Sequence, residues 1–227
     1  MAESVKGRRR YVSPRRQEQA RQTRRSILDA ARAVLIERGY GATMATIAAR
    51  AGVSLETVYA VVGSKPVLVQ TLIDLALAGG DEELPALERD YVRRIRAEPN
   101  AARKLGIYAA ALGSIHERLA PLYLLVRAAA ATHPEAAALW RTIGQRRAEN
   151  MLQLAEDLAA AGGLRAGVSI EEARDVLWTM NSAEFYDLLV GQRGWSPDRF
   201  ATWLAGAWQQ LLLGQPPARA PLHLADR

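Results

Sequence analysis

The sequence predicts an all-α chain: an N-terminal helix-turn-helix module of three helices joined to a larger C-terminal helical bundle. Three observations predict it. Thr43 to Lys65, TMATIAARAGVSLETVYAVVGSK, reads as two short helices joined by a glycine turn, with the capped start of another helix behind them. Beyond Gly79-Gly80 only helical periodicities follow, with no alternation suited to a strand. The charge is also confined. Residues 1–25 hold nine basic residues against two acidic ones, a net +7, so the rest of the chain carries −1 of the total +6.

Taken in order, residues 1–16 are polar, charged and interrupted by Pro14, the composition of a disordered basic arm. A helix then runs from near Arg16 to Arg38, with Ile27, Leu28, Ala31, Val34 and Leu35 on one stripe and Gly39 ending it. Thr43 caps a helix over about 44–50, which has Ile47 and Ala48 on its apolar face. Gly52, in Ala51-Gly52-Val53, is free to take the positive φ of a tight turn. Ser54 caps the next helix, over about 55–61, with Val58 and Val61 or Val62 inward. Ser64 caps a fourth helix that tolerates Pro66 in its first turn and sets Leu68, Leu72 and Leu75 inward. Residues 17–79 thus form the first domain, 80–214 the second, and 215–227 a proline-containing tail.

In the second domain a charged helix is expected over Glu83–Arg96. Pro99 opens the next helix, and Pro121 is expected to break the run that follows. Pro134 opens a long helix ending at Gly162-Gly163. The capping box Ser169-Ile170-Glu171-Glu172 opens a helix to about Val190, and Ser196-Pro197 opens the last. There Phe200, Trp203, Leu204, Ala207, Trp208 and Leu211 recur at helical spacing.

Helix, glycine turn and helix is the geometry that seats a second helix in the DNA major groove. The stretch from Ile27 to about Asp74 resembles the TetR family of bacterial regulators. The likeness rests on Glu37-Arg38-Gly39-Tyr40, Ala42-Thr43, Ile47-Ala48, Ala51-Gly52-Val53-Ser54, Thr57-Val58-Tyr59 and Ser64-Lys65. Where family members carry an aromatic residue or His followed by Phe, Val61 and Val62 stand here. The resemblance implies that Thr57, Tyr59 and Lys65 hold phosphates and that the start of the second motif helix faces bases. A hydroxyl, a phenol and an ammonium beside helix N-termini can all donate to phosphate oxygens. Leu55, Glu56 and Ala60 occupy the solvent side of that helix, and none is a bidentate reader of guanine or adenine. Specificity then rests on apolar contacts, Thr57, DNA shape and the arm. Thr43, Ser54 and the arm residues Arg8, Arg9 and Arg10 complete the DNA-contacting candidates, with Arg50 a further backbone candidate.

The resemblance also implies that the C-terminal bundle binds an effector and forms a homodimer through its last two long helices, 169–190 and 196–213. The first of these is apolar nearly all round and needs two partners. The expected dimer residues are Trp178, Phe185, Leu189, Trp203, Ala207, Trp208 and Leu211. The expected ligand residues are the polar or aromatic groups in otherwise apolar helices: Tyr108, His116, Tyr123, Arg127, Trp140, Trp178 and Asn181. Arg127 and Trp140 lead that set, because a buried arginine needs an acidic partner or an anionic ligand.

The chain has no cysteine, which removes disulfides and Cys-zinc sites. The start MAESVKGRRR lacks a signal peptide's apolar segment, and the most apolar run, Leu119 to Ala131, is too short to span a bilayer and contains Pro121 and Arg127. The expected compartment is the cytoplasm, without a membrane partner. HExxH, Glu-x-x-His, P-loop and GxGxxG motifs are missing, and His116, His133 and His223 are scattered, so neither an enzyme, a cofactor nor a metal is expected. The reading is a ligand-responsive repressor that binds an operator in double-stranded DNA as a homodimer and is released by a small, largely apolar effector. The alternatives are an effector-independent architectural DNA-binding protein and a helical-bundle enzyme. Deleting the basic arm should lower DNA affinity without changing the thermal midpoint. Equal affinities of full-length and truncated protein at low salt would contradict the arm's role.

Overall fold

The computed structural model describes residues 14–80 and 84–214. The chain divides into two compact units, Met1–Leu68 and Val69–Arg227.

The first unit holds α1 (Pro14–Arg38), α2 (Met44–Ala51), α3 (Leu55–Val62) and the first turn of α4 (Lys65–Ala78). α1 starts two residues before the expected Arg16, so residues 14–16 belong to a helix rather than to an arm. Proline's fixed φ suits a first helical position, where its missing N–H costs nothing. The core is the stripe read from the sequence: Ile27, Ala31, Val34 and Leu35 of α1, Ile47 and Ala48 of α2, Val58 and Val62 of α3, and Leu68, all buried. Ser26 Oγ donates to the Ala51 carbonyl at 3.3 Å, joining α1 to the end of α2.

The second unit comprises the rest of α4, a 3₁₀ turn at Ala86–Glu88, α5 (Asp90–Ala97), α6 (Ala101–Ala129), α7 (Pro134–Ala160), α8 (Ile170–Met180), α9 (Ala183–Tyr186) and α10 (Pro197–Leu212). Among the described residues the one β-like feature is an isolated bridge between Leu164 and Leu213. The units divide inside α4, ahead of the Gly79 stop. One reason is that Ile73 and Leu77 share a cavity wall with residues of α6, and Arg118 of α6 donates to the Ala76 carbonyl at 3.4 Å.

Three sequence expectations are corrected here. The charged helix expected over Glu83–Arg96 is shorter, and Glu83 itself lies outside the described residues. Pro85 disfavours helical backbone at Leu84, and α5 starts only at Asp90. Pro121 does not break α6. It is exposed, so the carbonyl that loses its N–H partner lies toward solvent, and the helix continues through it to Ala129, 29 residues in all. The helix expected over 169–190 is two. The Asn181 side chain turns inward to Tyr108, and Ser182 Oγ then accepts from the Phe185 N–H at 3.1 Å to start α9, which passes into π-helical turns at Asp187–Gln192.

α6 is the centre of this unit, packed by α5, α7, α9 and above all α10. Phe200, Leu204, Trp208 and Leu212 form the buried face of α10, while Trp203 and Leu211 on its other face are 42% and 43% exposed. Trp208, expected at a subunit interface, is fully enclosed in its own bundle, stacked 5.6 Å from Tyr108. The stripe covers two faces of the helix, and Trp208 lies on the inner one. Gly113 permits the close approach of α10: a Cβ there would sit 3.1 Å from the Pro197 carbonyl oxygen and 3.3 Å from the Ala201 Cβ. Lys104 is buried with its ammonium donating to the Ile95 carbonyl at 2.8 Å, capping the end of α5. Leu204→Ala should lower the unfolding free energy by about 2–5 kcal/mol in chemical denaturation. A loss below about 1 kcal/mol would contradict the packing of α10 on α6.

Candidate functional site

The helix-turn-helix is built by caps. Thr43 Oγ1 accepts from the Thr46 N–H at 3.1 Å and starts α2. Gly52 ends it at φ 68°, and the N–H of Val53 reaches the Ala48 carbonyl at 3.1 Å. Ser54 Oγ accepts from the Thr57 N–H at 3.1 Å and starts α3, and its hydroxyl lies 3.0 Å from Thr57 Oγ1. The two helices are bent by 101°, within the range of such motifs. Thr43 and Ser54, expected to contact DNA, therefore already use their side-chain oxygens to order the helices. On α3, Leu55, Glu56, Tyr59 and Ala60 are exposed, Tyr59 by 50%, and Thr57 is half-buried. Glu56 sits in the first turn. Its carboxyl is held below the usual range by a backbone N–H and by Ser54, so the exposed face carries a negative charge. Lys65 donates to the Tyr40 carbonyl at 3.0 Å and lies 5.2 Å from that ring's centre. Arg50 is tied to Glu37 by two hydrogen bonds of 2.8 and 3.1 Å, an α1–α2 brace rather than a free phosphate contact. Arg8, Arg9 and Arg10 lie outside the described residues.

The second unit contains a cavity of about 520 Å³, walled by α4, the 84–89 segment, α5, α6, α7 and the end of α8. Of the expected ligand residues, Tyr108, Tyr123 and Asn181 line it. Asn181 Nδ2 donates to the Tyr108 hydroxyl at 2.6 Å and approaches Met151 Sδ at 3.2 Å. Burial pushes the Tyr123 phenol up to about 12, partly offset by Arg147, and raises Tyr108 further. The other four expected residues lie off the wall. Arg127 is 55% exposed and paired with Glu184 at 2.9 Å: it sits on the outer side of α6 and finds its acidic partner there. Trp140 stands edge-on behind Tyr123, their centroids 6.0 Å apart. His116 is buried against Tyr186, at 5.1 Å between rings, on another side of α6. Trp178 is 39% exposed and stands behind Arg147, its backbone carbonyl accepting from that guanidinium and its ring centre 5.0 Å away, without lining the wall itself.

The sequence reading missed Arg147, Arg89, Asp74 and Met151, all on the cavity wall. Ile143, Arg147 and Met151 recur every four residues on α7 and all are buried, a helical stripe that carried the signal. Arg89 lies between two helical segments and has no such periodicity.

Residues 27–72 match the sequence profile of the bacterial regulatory proteins of the tetR family. The N-terminal domain is a TetR-family DNA-binding domain. No curated protein sequence matches the chain. Among solved structures, the chain resembles NalD, the secondary repressor of the MexAB-OprM multidrug efflux pump in Pseudomonas aeruginosa. Identity is 21% with a TM-score of 0.67, covering 86% of this chain and 98% of that one. It also resembles the regulator FadR of Bacillus subtilis in complex with stearoyl-CoA, at 18% identity and TM-score 0.64, over 81% and 96% of the two chains. A protein from Saccharomonospora viridis in complex with choline matches at 18% identity and TM-score 0.62, over 86% and 99%. These likenesses establish the fold across both units.

In the TetR-family domain, the exposed groups of α3 and Lys65 lie within and just after the stretch from Thr43 that the caps order. Lys65→Ala should weaken specific and non-specific DNA binding alike and reduce the salt slope of log K by about one. An unchanged slope would show that the ammonium serves Tyr40 alone. A second expectation concerns His116. Burial, aided by Arg147, lowers its pKa to about 4, against an opposing effect of the Asn181 backbone. The unfolded chain then binds a proton that the folded protein refuses, so stability falls as pH drops through about 6.5 toward 4. His116→Leu should remove on the order of 2 kcal/mol of the stability lost between about pH 7 and 5. A denaturation series with the same pH dependence in both proteins would contradict this.

Proposed function

We propose that the protein is a homodimeric repressor that grips a two-fold operator with its paired α3 helices and releases it when a small molecule occupies the cavity. The observation that carries this reading is the cavity itself, a space of about 520 Å³ in a helical unit that DNA binding does not require. α4 links the two activities along the chain: Lys65 begins it, and Gln70, Ile73, Asp74 and Leu77 farther along line the cavity. A ligand that favours one arrangement of α4 shifts the DNA-competent population by its difference in affinity for the two states. Complexes of the structural neighbours with stearoyl-CoA and choline fit a small-molecule effector here.

Dimerisation has its own support. Trp178, Leu188, Trp203 and Leu211 are large apolar side chains exposed on or just beyond α8 and α10, and Phe185 and Leu189 are half-buried beside them. Trp195 and Phe185 pack on Trp203 at 5.8 and 5.9 Å, giving one aromatic patch. A contiguous patch of this kind marks an interaction surface, and a two-fold pairing matches the symmetry of DNA half-sites. Among the described residues no single helix is long and apolar enough to cross a membrane.

Two measurements test the reading. Wild-type protein should sediment as a dimer at micromolar concentration, and Trp203→Glu as a folded monomer with weakened DNA binding. A monomeric wild type would contradict it. A cavity ligand found by thermal-shift screening should weaken DNA binding with a coupling of about 1–3 kcal/mol. Tight ligand binding that leaves DNA affinity untouched would separate the cavity from regulation.

A further inference from the structure

The cavity wall carries two guanidinium groups that no carboxylate among the described residues pairs with. Arg89 and Arg147 are each 8% exposed, and both line the cavity. Among the described residues neither takes part in an ion pair. Arg147 donates through Nη2 to the Trp178 carbonyl at 2.7 Å and lies 5.0 Å from the centre of that ring. Its Nε is buried without a partner, as is the Nε of Arg89. Two carboxylates share the wall but form no ion pair with either arginine: Asp74 accepts from Gln70 at 2.9 Å, and the exposed Glu149 accepts from Gln145 at 3.1 Å.

Arginine keeps its charge inside proteins, and an unpaired buried charge is costly. Two such groups on one cavity wall, with no ion pair to either among the described residues, favour a negatively charged ligand there. A planar carboxylate or a phosphate meets it, because the guanidinium fork offers such oxygens several donors. The remaining wall does not suit a bare ion. Ile73, Leu112, Ile115, Leu119 and Ile143 are apolar, and the rings of Tyr91 and Tyr108 stack 6.1 Å apart beside them.

We propose that the cavity's ligand is an amphipathic anion, a small apolar or aromatic body bearing one carboxylate or phosphate-like group that docks on Arg89 and Arg147. This rests on the reading of the cavity as the effector site and narrows the effector from largely apolar to acidic. It also gives Arg89 and Arg147 the role that the sequence offered to Arg127.

Calorimetry on the full chain, without DNA, tests it with decanoate and naphthoate against decanol, naphthamide and decylamine. The acids should bind about tenfold or more tightly than the neutral and cationic analogues, as the loss of a charge-assisted hydrogen bond entails. Arg89→Met and Arg147→Met should each weaken decanoate by about tenfold and leave decanol within about twofold. Arg147→Lys, which keeps the charge but loses the fork, should fall between. Arg89→Met supplies a second readout: removing an uncompensated buried charge should raise the melting temperature of the ligand-free protein while abolishing the rise that decanoate produces. A lower melting temperature for ligand-free Arg89→Met would show that a carboxylate of this chain already neutralises it, and would overturn the proposal. So would equal or tighter binding of decanol or decylamine, or no binding by any of the five. An acid that binds through both arginines but leaves DNA affinity unchanged supports the anion site and counts against the regulatory reading alone.

Discussion

The hydrogen bond of 2.6 Å from Asn181 to the Tyr108 hydroxyl is the contact on which the C-terminal unit turns. It joins the N-terminal third of α6 to the point where α8 ends, and both groups lie beside Met151 of α7. The Tyr108 ring stacks on Tyr91 of α5 on one side and on Trp208 of α10 on the other. One side chain of α6 thus meets four other elements. An unpaired phenol or amide at this depth would cost about 1–3 kcal/mol, so neither group is free to leave the other. The same bond pulls Asn181 inward, ends α8 and lets Ser182 start α9. It also fixes one wall of the cavity, since both residues face it.

The N-terminal unit follows a different economy. Its parts are short, and helices of eight residues do not stand alone in water. Side-chain caps at Thr43 and Ser54, the left-handed Gly52 and a shared apolar core hold α2 and α3 at their angle. All of these devices are local, and their residues stand within a few positions of what they stabilise. That is why this part was legible: the caps, the turn glycine and the inward Val58 could be read from spacing alone, which left open whether Val61 or Val62 joined it. The family resemblance rested on the same residues.

The cavity was less legible, for a physical reason. Whether a polar residue on a long helix faces a cavity, the core or solvent depends on the rotation of that helix against partners far away in sequence. Tyr108, Tyr123 and Asn181 were found because tyrosines and an asparagine amid apolar residues are uncommon enough to notice. Arg127 looked equally unusual among its leucines and alanines, yet it points outward to Glu184. Arg147 hides in the charged run Gln145-Arg146-Arg147, where only its four-residue spacing from Ile143 and Met151 betrays it. The stripe on α10 misled in a related way: apolar residues at successive turns covered two faces, one for α6 and one left exposed. Pro121 shows that a proline marks a break only when the surrounding helix lacks other support.

Both units depend on polar groups that bind a partner before they bind anything else. In the first unit these partners are the backbone N–H groups of α2 and α3, and the ordered helices leave one face exposed. In the second they include the Trp178 carbonyl and the Tyr108 hydroxyl, and what is left over is the charge proposed to hold a ligand. The measurement that bears most directly on this account is selection of bound sequences from random duplex DNA by the full chain. The account predicts enrichment of one two-fold symmetric motif, its half-sites set by the paired α3 helices. Recovery of sequences with no common motif, at an affinity set by salt alone, would contradict it.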